Sequence, residues 1–449
     1  MENYIDFDKL EELVNTRNYR ELRDILAGMN EVDIALFIES LPVEKATVTF
    51  RTLPKGLAAD VFANFSSDTQ EYIIGSITDQ ELAVIVEDLF VDDAVDMLEE
   101  LPASVVKRVL KNATPDTRAL INQFLQYPEN SAGSIMTAEF TDLRHNMTVE
   151  DAIKHIRRTG EDRETVYTCY VIDERRILDG VVTVKDLLLS SDENSIDNIM
   201  DTEIISVTTL EDREDVAKLF AKYDLLSVPV VDHEGRLVGI VTVDDAVDVM
   251  EQEATEDFEK MAAMIPSEKP YLKTGVFTLA KNRIMWLLVL MISGMITGSI
   301  LGRYEAAFAA MPLLVTFIPM LTDTGGNAGS QSSTLVIRGM AVSEISTKDL
   351  LAVMWKEIRV SVLVGVVLSA VNFVRLAVTY PGNEMVALTV ALTLFATVVL
   401  AKTIGGILPI IAKLVKADPA IMAAPLITTV VDAFSLVIYF SIAERLLHL

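Results

Sequence analysis

The chain has 449 residues, enough for two or three domains, and a formal net charge of −28 at pH 7. Residues 1–270 hold 57 acidic and 25 basic side chains, whereas residues 271–449 hold 9 and 13. The acidic front part repels phosphate backbones, which argues against nucleic-acid binding. A single cysteine excludes a disulfide framework, and the four histidines lack the spacing of a structural zinc site.

Residues 1–130 predict a series of short amphipathic helices. Apolar residues recur at helical spacing in the segments 7–15, 19–28, 31–41 and 79–90. The dipeptide Leu-Pro, at residues 41–42, 53–54 and 101–102, interrupts the pattern. We therefore expect helix pairs stacked into a superhelical N-terminal domain.

Residues 131–250 contain an internal repeat, with copies at 131–197 and 198–250. Gly180 and Gly239 lie 59 positions apart, as do Thr183 and Thr242. Each copy combines β-branched apolar runs with helical patterns, which predicts a pair of α/β units. The repeat resembles a tandem pair of CBS domains, whose Gly-x-x-Thr-x-x-Asp signature ends at Asp186 and Asp245.

That resemblance implies a nucleotide site. In the CBS family this threonine and aspartate can hold the ribose and phosphates of an adenine nucleotide such as ATP, a role that would fall on Thr183 and Asp186. The alternative is that these two residues only cap the helix that follows the strand. Arg175-Arg176 replaces the usual turn glycine, and Leu225 stands where an aromatic ring would stack an adenine.

The segment 251–280 connects this pair to the apolar part of the chain and predicts an acidic helix. Eight carboxylates crowd residues 244–259, and like charges at helical spacing destabilise a helix. The segment is either a solvated acidic face or a binding region for divalent cations. Its position beside an acidic domain favours cations.

Residues 281–449 predict an all-α membrane domain of five transmembrane helices. The predicted spans are 284–301, 308–321, 358–378, 386–411 and 421–443. Basic residues concentrate before the first span, between the second and third, and between the fourth and fifth. We therefore expect a multi-pass protein of the plasma (inner) membrane, surrounded by lipid, with a cytoplasmic N-terminus, an outside C-terminus and no cleaved signal peptide.

Two features of this domain predict chemistry. The segment 322–339 is rich in glycine, serine and threonine, which fits either close helix packing or irregular backbone facing a water-filled cavity. Asp432 lies near the middle of the fifth span, where a carboxylate has to face a pore or a partner. The alternative is a structural Asp432 in a helix interface, with Lys402 as a possible ion-pair partner.

The whole chain resembles the MgtE family of magnesium transporters. The order of the modules, Gly325–Asn327, the sequence Lys416–Ala420 and Asp432 carry the resemblance. It implies a homodimer with a pore at the dimer interface, in which Asp432 binds a largely hydrated Mg²⁺. The implied pore lining is Gly325, Gly326, Asn327 and Thr428, and Asp323 adds charge at the cytoplasmic mouth.

The resemblance also implies that cytosolic Mg²⁺ closes the pore by bridging the acidic modules. The implied metal ligands, in chain order, are Asp60, Asp92, Asp96, Asp212, Glu214, Asp224, Asp245, Asp248, Glu253, Glu256, Asp257 and Asp418. Two other functions remain open. One is an ion-gradient-coupled transporter of Co²⁺ or Mn²⁺ with Asp432 and Lys402 as a relay, and the other is a membrane-bound CBS sensor without conduction. No nucleophile–base pair or P-loop is present, so we expect no enzyme.

Overall fold

A computed structural model describes residues 7–267, 271–272, 274–422 and 424–448. Residues 268–270 and 273, which belong to the predicted connecting segment 251–280, lie outside the described residues. The chain divides into two compact units, residues 1–250 and 251–449.

The first unit begins with ten short helices. Odd-numbered helices from the third onward pack on the next odd-numbered one, and even-numbered helices from the fourth onward follow the same rule. This is the stacking of a superhelix, as the sequence predicts. The helices are α1 (Phe7–Asn15), α2 (Tyr19–Leu26), α3 (Glu31–Ser40), α4 (Val43–Phe50), α5 (Lys55–Ala63), α6 (Ser67–Ser76), α7 (Asp79–Asp88), α8 (Val91–Glu100), α9 (Ala103–Asn112) and α10 (Pro115–Phe124).

Local sequence sets the boundaries of these helices. Pro42, Pro54 and Pro102 each lie directly before a helix, where the missing N–H has no intrahelical partner to lose. The Thr78 hydroxyl accepts a hydrogen bond from the Glu81 N–H, and the Glu81 carboxylate accepts one from the Thr78 N–H in return. The Leu-Pro breaks therefore lie where the sequence places them.

Two copies of one α/β unit complete the first compact unit. Each copy has a three-stranded sheet, with one parallel pair of strands followed by one antiparallel pair. The first copy contains β1 (Asp142–Leu143), α11 (Val149–Thr159), β2 (Thr168–Ile172), β3 (Leu178–Thr183) and α12 (Val184–Leu189). The second contains β4 (Val207–Thr208), α13 (Arg213–Tyr223), β5 (Ser227–Val231), β6 (Leu237–Thr242) and α14 (Val243–Met261).

The repeated glycines allow the two copies to approach each other. A Cβ atom on Gly180 would lie 2.7 Å from Sδ of Met200, and one on Gly239 would lie 2.7 Å from the backbone oxygen of Thr137. Both distances are shorter than a van der Waals contact. The 59-residue spacing of Gly180 and Gly239 therefore marks two positions at which the copies pack too closely for a side chain.

The acidic connecting helix is continuous with the second copy. Helix α14 starts directly after β6 and ends at Met261, so it spans the predicted boundary at residue 250 without a break. The described residues between Ala262 and Gly275 are turns and irregular backbone.

The second unit is helical. Its helices are α15 (Val276–Arg303), α16 (Glu305–Ala310), α17 (Ile318–Ala341), α18 (Leu350–Thr379), α19 (Glu384–Leu414) and α20 (Ala424–Leu447). Helix α19 packs on α17, α18 and α20 and has buried residues along its whole length, whereas α15 contacts α16 and α20 and has no buried residue. A helical N domain, an α/β pair and a helical C-terminal domain are thus confirmed as the fold.

Four helical segments of the described residues are long and apolar enough to cross a membrane. They are Val276–Arg303, Thr347–Thr379, Glu384–Leu414 and Pro419–Leu447. Helix α17 contains only residues 318–321 of the predicted second span, together with the polar segment 322–339 that follows it, whereas residues 308–317 form the end of α16 and a short 3-10 turn. The glycine, serine and threonine content of α17 lowers its hydropathy. The number of five membrane spans therefore stays a prediction.

Candidate functional site

A group of carboxyl side chains converges in the first unit where α8 and α14 approach each other. We call it the carboxyl cluster, and each member either raises the pKa of another member or has its own pKa raised by one. Its members are Asp92, Asp93 and Asp96 of α8, Glu139 and Glu164 of the first α/β copy, and Asp244 and Asp245 of α14.

Burial and mutual repulsion make the charged form of these carboxyl groups unfavourable. Burial first, and then Asp245 and Asp93, raise the pKa of Asp92 well above its usual range. Burial first, and then neighbouring carboxylates that include Asp244, raise the pKa of Asp93 and Asp245 to about 6 and that of Glu164 to about 7. At neutral pH the cluster therefore carries several carboxylates that lack solvation.

Asp92 is the member with the least compensation. Its Oδ1 atom is buried and has no hydrogen-bond partner in the described part of the chain. No lysine or arginine of the described residues forms an ion pair with Asp92, Asp93 or Asp245. Besides protonation, a bound cation can compensate the charge of a buried carboxylate that lacks partners.

The chemistry of the cluster fits a hard divalent cation that keeps some of its water. Carboxylate oxygens are the ligands that Mg²⁺ prefers, and it is usually held by one or two of them. Among the described residues, no three side chains are already arranged as a closed metal cage. The carboxyl cluster is therefore a crowded anionic surface and not a preformed metal cage.

The structure brings together four of the metal ligands that the resemblance implies in this region. Asp92, Asp96 and Asp245 belong to the cluster, and Asp60 lies at its edge, where it raises the pKa of Asp93. Burial first and then Glu31 raise the pKa of Asp60 itself.

Sequence reasoning missed Asp93, Glu139 and Glu164. Asp93 follows directly after Asp92 at the start of a helix, which is the one local signal available. Glu139 and Glu164 lie in loops, and only the tertiary fold brings them to α8.

Three other implied ligands have local roles in the second α/β copy. The Asp212 carboxylate accepts a hydrogen bond from the Glu214 N–H and caps α13, and Glu214 pairs with Lys218 at 2.8 Å. Asp224 adopts a left-handed conformation, with φ of 52°, at the other end of the same helix. None of the three is among the charges that raise the pKa of the carboxyl cluster in the described residues.

The remaining acidic candidates lie further along α14 and before α20. Asp248, Glu253 and Asp257 lie on α14, with Asp248 exposed and the other two half-buried. Glu256 and Asp418 both pair with the Lys260 ammonium, and the Asp418 Oδ2 lies 2.5 Å from its nitrogen.

Thr183 and Asp186 form a reciprocal cap at the start of α12. The Thr183 hydroxyl accepts a hydrogen bond from the Asp186 N–H, and the Asp186 carboxylate accepts bonds from the Thr183 N–H and hydroxyl. Both candidate nucleotide ligands therefore have structural partners, which is the alternative that the sequence leaves open.

In the second unit, α17 has two chemically different faces. Gly325, Gly326 and Gly329 are buried, and a Cβ atom on any of them would lie within 2.7 Å of a side chain on α19 or α20. The expectation of irregular backbone with free carbonyls at these glycines is wrong, because the segment is a regular helix and the glycines permit close helix packing.

The opposite face of α17 is polar. Asp323, Asn327 and Gln331 follow one another at intervals of four residues and are exposed, so they form one stripe along the helix. We call this the polar stripe of α17. Of the four residues implied to line a pore, Asn327 belongs to the stripe, whereas Gly325 and Gly326 face inward.

Asp432 and Thr428 lie on α20 beside this helix. Thr428 packs against Gly326, and its hydroxyl donates to the backbone oxygen of Pro425 at 3.0 Å. Asp432 is half-buried and close enough to Asp323 for their carboxylates to repel each other. Two carboxylates on neighbouring helices thus meet at the polar stripe.

Lys402 of α19 does not pair with Asp432 in the described residues. Its buried ammonium lies 3.4 Å from both the Gln331 Oε1 and the Ser332 hydroxyl, and that hydroxyl donates to Glu357 at 2.6 Å. The possible ion pair considered from the sequence is replaced by this polar chain.

Comparison with known proteins identifies the family. The sequence profile of MgtE, described as a divalent cation transporter, matches residues 318–442; that of the MgtE intracellular N domain matches 29–130; and CBS domains match 132–193 and 196–252. The magnesium transporter MgtE of Thermus thermophilus is 37% identical over 442 residues, covering 98% of each chain. The chain belongs to the MgtE family.

Other MgtE relatives agree with this result. The magnesium transporter MgtE of Bacillus subtilis is 38% identical over 328 residues, which cover 73% of this chain and 72% of the relative. A crystal structure of the cytosolic domain of the Mg²⁺ channel MgtE in complex with ATP matches with a TM-score of 0.52 and 36% identity, covering 54% of this chain and 99% of that one. The chain is therefore a multi-pass membrane transporter and not an enzyme.

Proposed function

We propose that this MgtE-family chain carries Mg²⁺ across the plasma membrane along the polar stripe of α17, with Asp432 as the ion-binding residue. The observation that carries the proposal is the juxtaposition of the stripe with Asp432. Exposed carboxylate and amide groups at membrane depth have to face water or a partner, since lipid cannot solvate them. Its relatives are named as magnesium transporters.

The stripe also supports a homodimer. One protomer exposes Asp323, Asn327 and Gln331 together, so a single chain leaves half of a polar path uncovered. Two copies facing each other across a symmetry axis would enclose the path and contribute one Asp432 each. Two carboxylates suit Mg²⁺, which binds few protein ligands and retains its water, and they hold the ion weakly enough for release.

The test of permeation is Mg²⁺ flux into proteoliposomes containing the full-length protein. Asp432→Asn removes the charge with little change in shape, so we expect flux to fall to background. Glu444→Gln, which neutralises an exposed carboxylate near the end of the same helix, is the matched control and should transport normally. Normal flux through a well-assembled Asp432→Asn protein would make Asp432 a structural residue and overturn the proposal.

We further propose that cytosolic Mg²⁺ closes this path by binding at the carboxyl cluster. When bound, the cation supplies the positive charge that the cluster lacks. The carboxylates of α8, α14 and the first α/β copy can then remain ionised at short distance, which holds these elements together. Because each ion also relieves repulsion that opposes the next, we expect binding to be cooperative.

Gating is tested in the same assay by varying Mg²⁺ on the cytoplasmic side. Asp92→Asn combined with Asp245→Asn should leave the path open at Mg²⁺ concentrations that close the parent, with a change in the half-closing concentration of about five- to 150-fold. Glu174→Gln with Glu193→Gln, two exposed acids of the same unit, is the charge-matched control. Unchanged closure in the cluster variant, or equal shifts in both, would show that the cluster is only a solvated surface.

The rival functions receive less support. A proton relay between Asp432 and Lys402 would need contact between them, whereas Lys402 bonds to Gln331 and Ser332. Flux that persists without a pH or Na⁺ gradient would separate a channel from a coupled transporter. A sensor without conduction gives no reason for an exposed polar stripe at membrane depth.

Two further features of the proposal concern orientation and nucleotide. Basic residues at the start of α15, around the connection from α17 to α18 and around the connection from α19 to α20 favour a cytoplasmic N-terminus and an outside C-terminus. The relative crystallised with ATP supports ATP as a ligand of the CBS pair, with Thr183 and Asp186 as contacts.

A further inference from the structure

Lys260, in the last turn of α14, bridges two carboxylates of the second unit. Its ammonium bonds to Glu256, one turn earlier on the same helix, and to the Asp418 Oδ2 at 2.5 Å. All three side chains are about a quarter to a third exposed, with values of 23%, 32% and 30% for Lys260, Glu256 and Asp418. Solvent therefore screens the contact only in part.

Asp418 uses both of its oxygens in this arrangement. Oδ1 accepts a hydrogen bond from the Ala420 N–H at 2.8 Å and starts the short turn Pro419–Met422, while Oδ2 accepts from Lys260. That turn leads into α20, the helix that bears Asp432. The contact thus ties the end of α14 to the entry of the helix with the proposed ion-binding residue.

An ammonium and a divalent cation compete for the same place between two carboxylates. With Lys260 present, Glu256, Lys260 and Asp418 together carry a charge of −1, and the oxygens that face each other already have a cationic partner. The pair Glu256 and Asp418 therefore does not fit the role of metal ligands in this structure, in contrast to the carboxyl cluster.

We propose that Lys260 is a built-in cation that holds the end of α14 against the loop before α20 without bound metal. The inference rests on the proposed function, and it assigns the Mg²⁺-dependent part of closure to the carboxyl cluster and the Mg²⁺-independent part to Lys260. Lys260 is a positioning residue: it acts on the path through the orientation of α14 and α20.

The test is hydrogen exchange of the full-length protein in detergent, followed by mass spectrometry and without any transport step. Lys260→Met keeps the length of the side chain and removes its charge, so Glu256 and Asp418 repel each other. In Mg²⁺-free buffer we expect exchange in residues 256–264 and 415–420 to become roughly three- to tenfold faster than in the parent. Lys260→Arg should restore the parent rates.

A Mg²⁺ titration separates the built-in cation from a metal site. In the parent, exchange in these two segments should not change with Mg²⁺. In Lys260→Met, Mg²⁺ should slow it again, because the two carboxylates are then free to bind the ion, and Glu256→Gln added to Lys260→Met should abolish that response. Lys218→Met removes another lysine that pairs with two acids, on α13, and should change neither segment.

Three results would overturn the inference. Parent-like exchange of Lys260→Met in Mg²⁺-free buffer would show that the lysine holds nothing. Mg²⁺-dependent protection of these segments in the parent would return Glu256 and Asp418 to the metal ligands. A Lys218→Met protein with the same change would make the effect non-specific. Loss of flux or of gating in the transport assays leaves this readout unaffected, so failure of the proposed function is recognised separately.

Discussion

Replacing Asp245 by asparagine should stabilise the first unit when Mg²⁺ is absent. Asparagine has the same shape and can still accept the hydrogen bond that the Thr242 hydroxyl donates to Oδ2 at 2.6 Å. It removes a charge that is largely buried and that repels Asp93 and Asp92. The change therefore isolates the electrostatic cost of the carboxyl cluster from its packing.

The expected gain in the free energy of unfolding follows from the pKa of Asp245. Burial and the neighbouring Asp244 raise the pKa of Asp245 from 3.8 to about 6, and about two pKa units correspond to roughly 3 kcal/mol. Because neighbouring carboxyls adjust their own protonation, we expect a gain of about 1–3 kcal/mol at pH 8.

The stability difference between Asp245→Asn and the parent should depend on pH with a definite sign. A group whose pKa is raised in the folded state stabilises the fold below its unfolded pKa, here 3.8, and this contribution is lost as the pH rises through about 6. The advantage of the Asp245→Asn protein should therefore be largest at pH 8, fall to about half near pH 5 and nearly vanish at pH 4. Saturating Mg²⁺ should reverse the order, since the parent gains more from binding, about 2.7 kcal/mol at one hundred times the dissociation constant.

Native-state hydrogen exchange of the α8 amides, corrected for intrinsic exchange rates at each pH, measures the opening free energy directly. Asp173→Asn is the control of opposite sign, because the Ile177 N–H bond to Asp173 lowers the pKa of that carboxyl and its charge is favourable. Faster exchange of α8 in Asp245→Asn at pH 8, or an advantage that stays the same down to pH 4, would refute the electrostatic account of the cluster.

Two further predictions concern helix packing and nucleotide binding. Gly405→Ala would place a Cβ atom 2.2 Å from the Gly329 backbone oxygen and should lower the stability of the protein by about 1–3 kcal/mol. Gly294→Ala, where the Cβ atom meets open space, should raise the stability slightly. Size-exclusion chromatography after heating compares the two variants, and equal survival would contradict the packing of α17 on α19. ATP should raise the thermal stability of the parent and of Thr183→Ser but not of Thr183→Val, and an equal ATP-induced shift in Thr183→Val would place the nucleotide elsewhere.

Much of the fold could be predicted because its signals are local or periodic. Proline fixes the starts of α4, α5 and α9, and the 59-residue spacing of Gly180 and Gly239 marks the two α/β copies. These residues act on their own backbone or on a contact that recurs in each copy. A single sequence therefore contains the information needed to recognise them.

The carboxyl cluster could be predicted only in part, since it depends on contacts between distant segments. Asp92 and Asp245 followed from the resemblance to the family, but Glu139 and Glu164 reach α8 only through the packing of loops in the first α/β copy. Asp212 shows the ambiguity of acidic residues in a sequence, because an aspartate directly before a helix is suited both to cap the helix and to bind a cation. Composition cannot distinguish a cap from a ligand, whereas burial and missing partners can.

The glycine-rich segment shows why a hydropathy criterion does not select α17, the helix that we propose lines the path. Glycine disfavours helix in isolation, yet Gly325, Gly326 and Gly329 are helical because α19 and α20 leave no room for side chains there. The polar stripe lies on the other face, so over residues 322–333 neither face supplies the large apolar residues of a lipid-facing span. A helix that packs tightly through glycines on one side and carries polar side chains on the other has a low mean hydropathy, so the low hydropathy of α17 agrees with the proposal that its polar stripe lines the path.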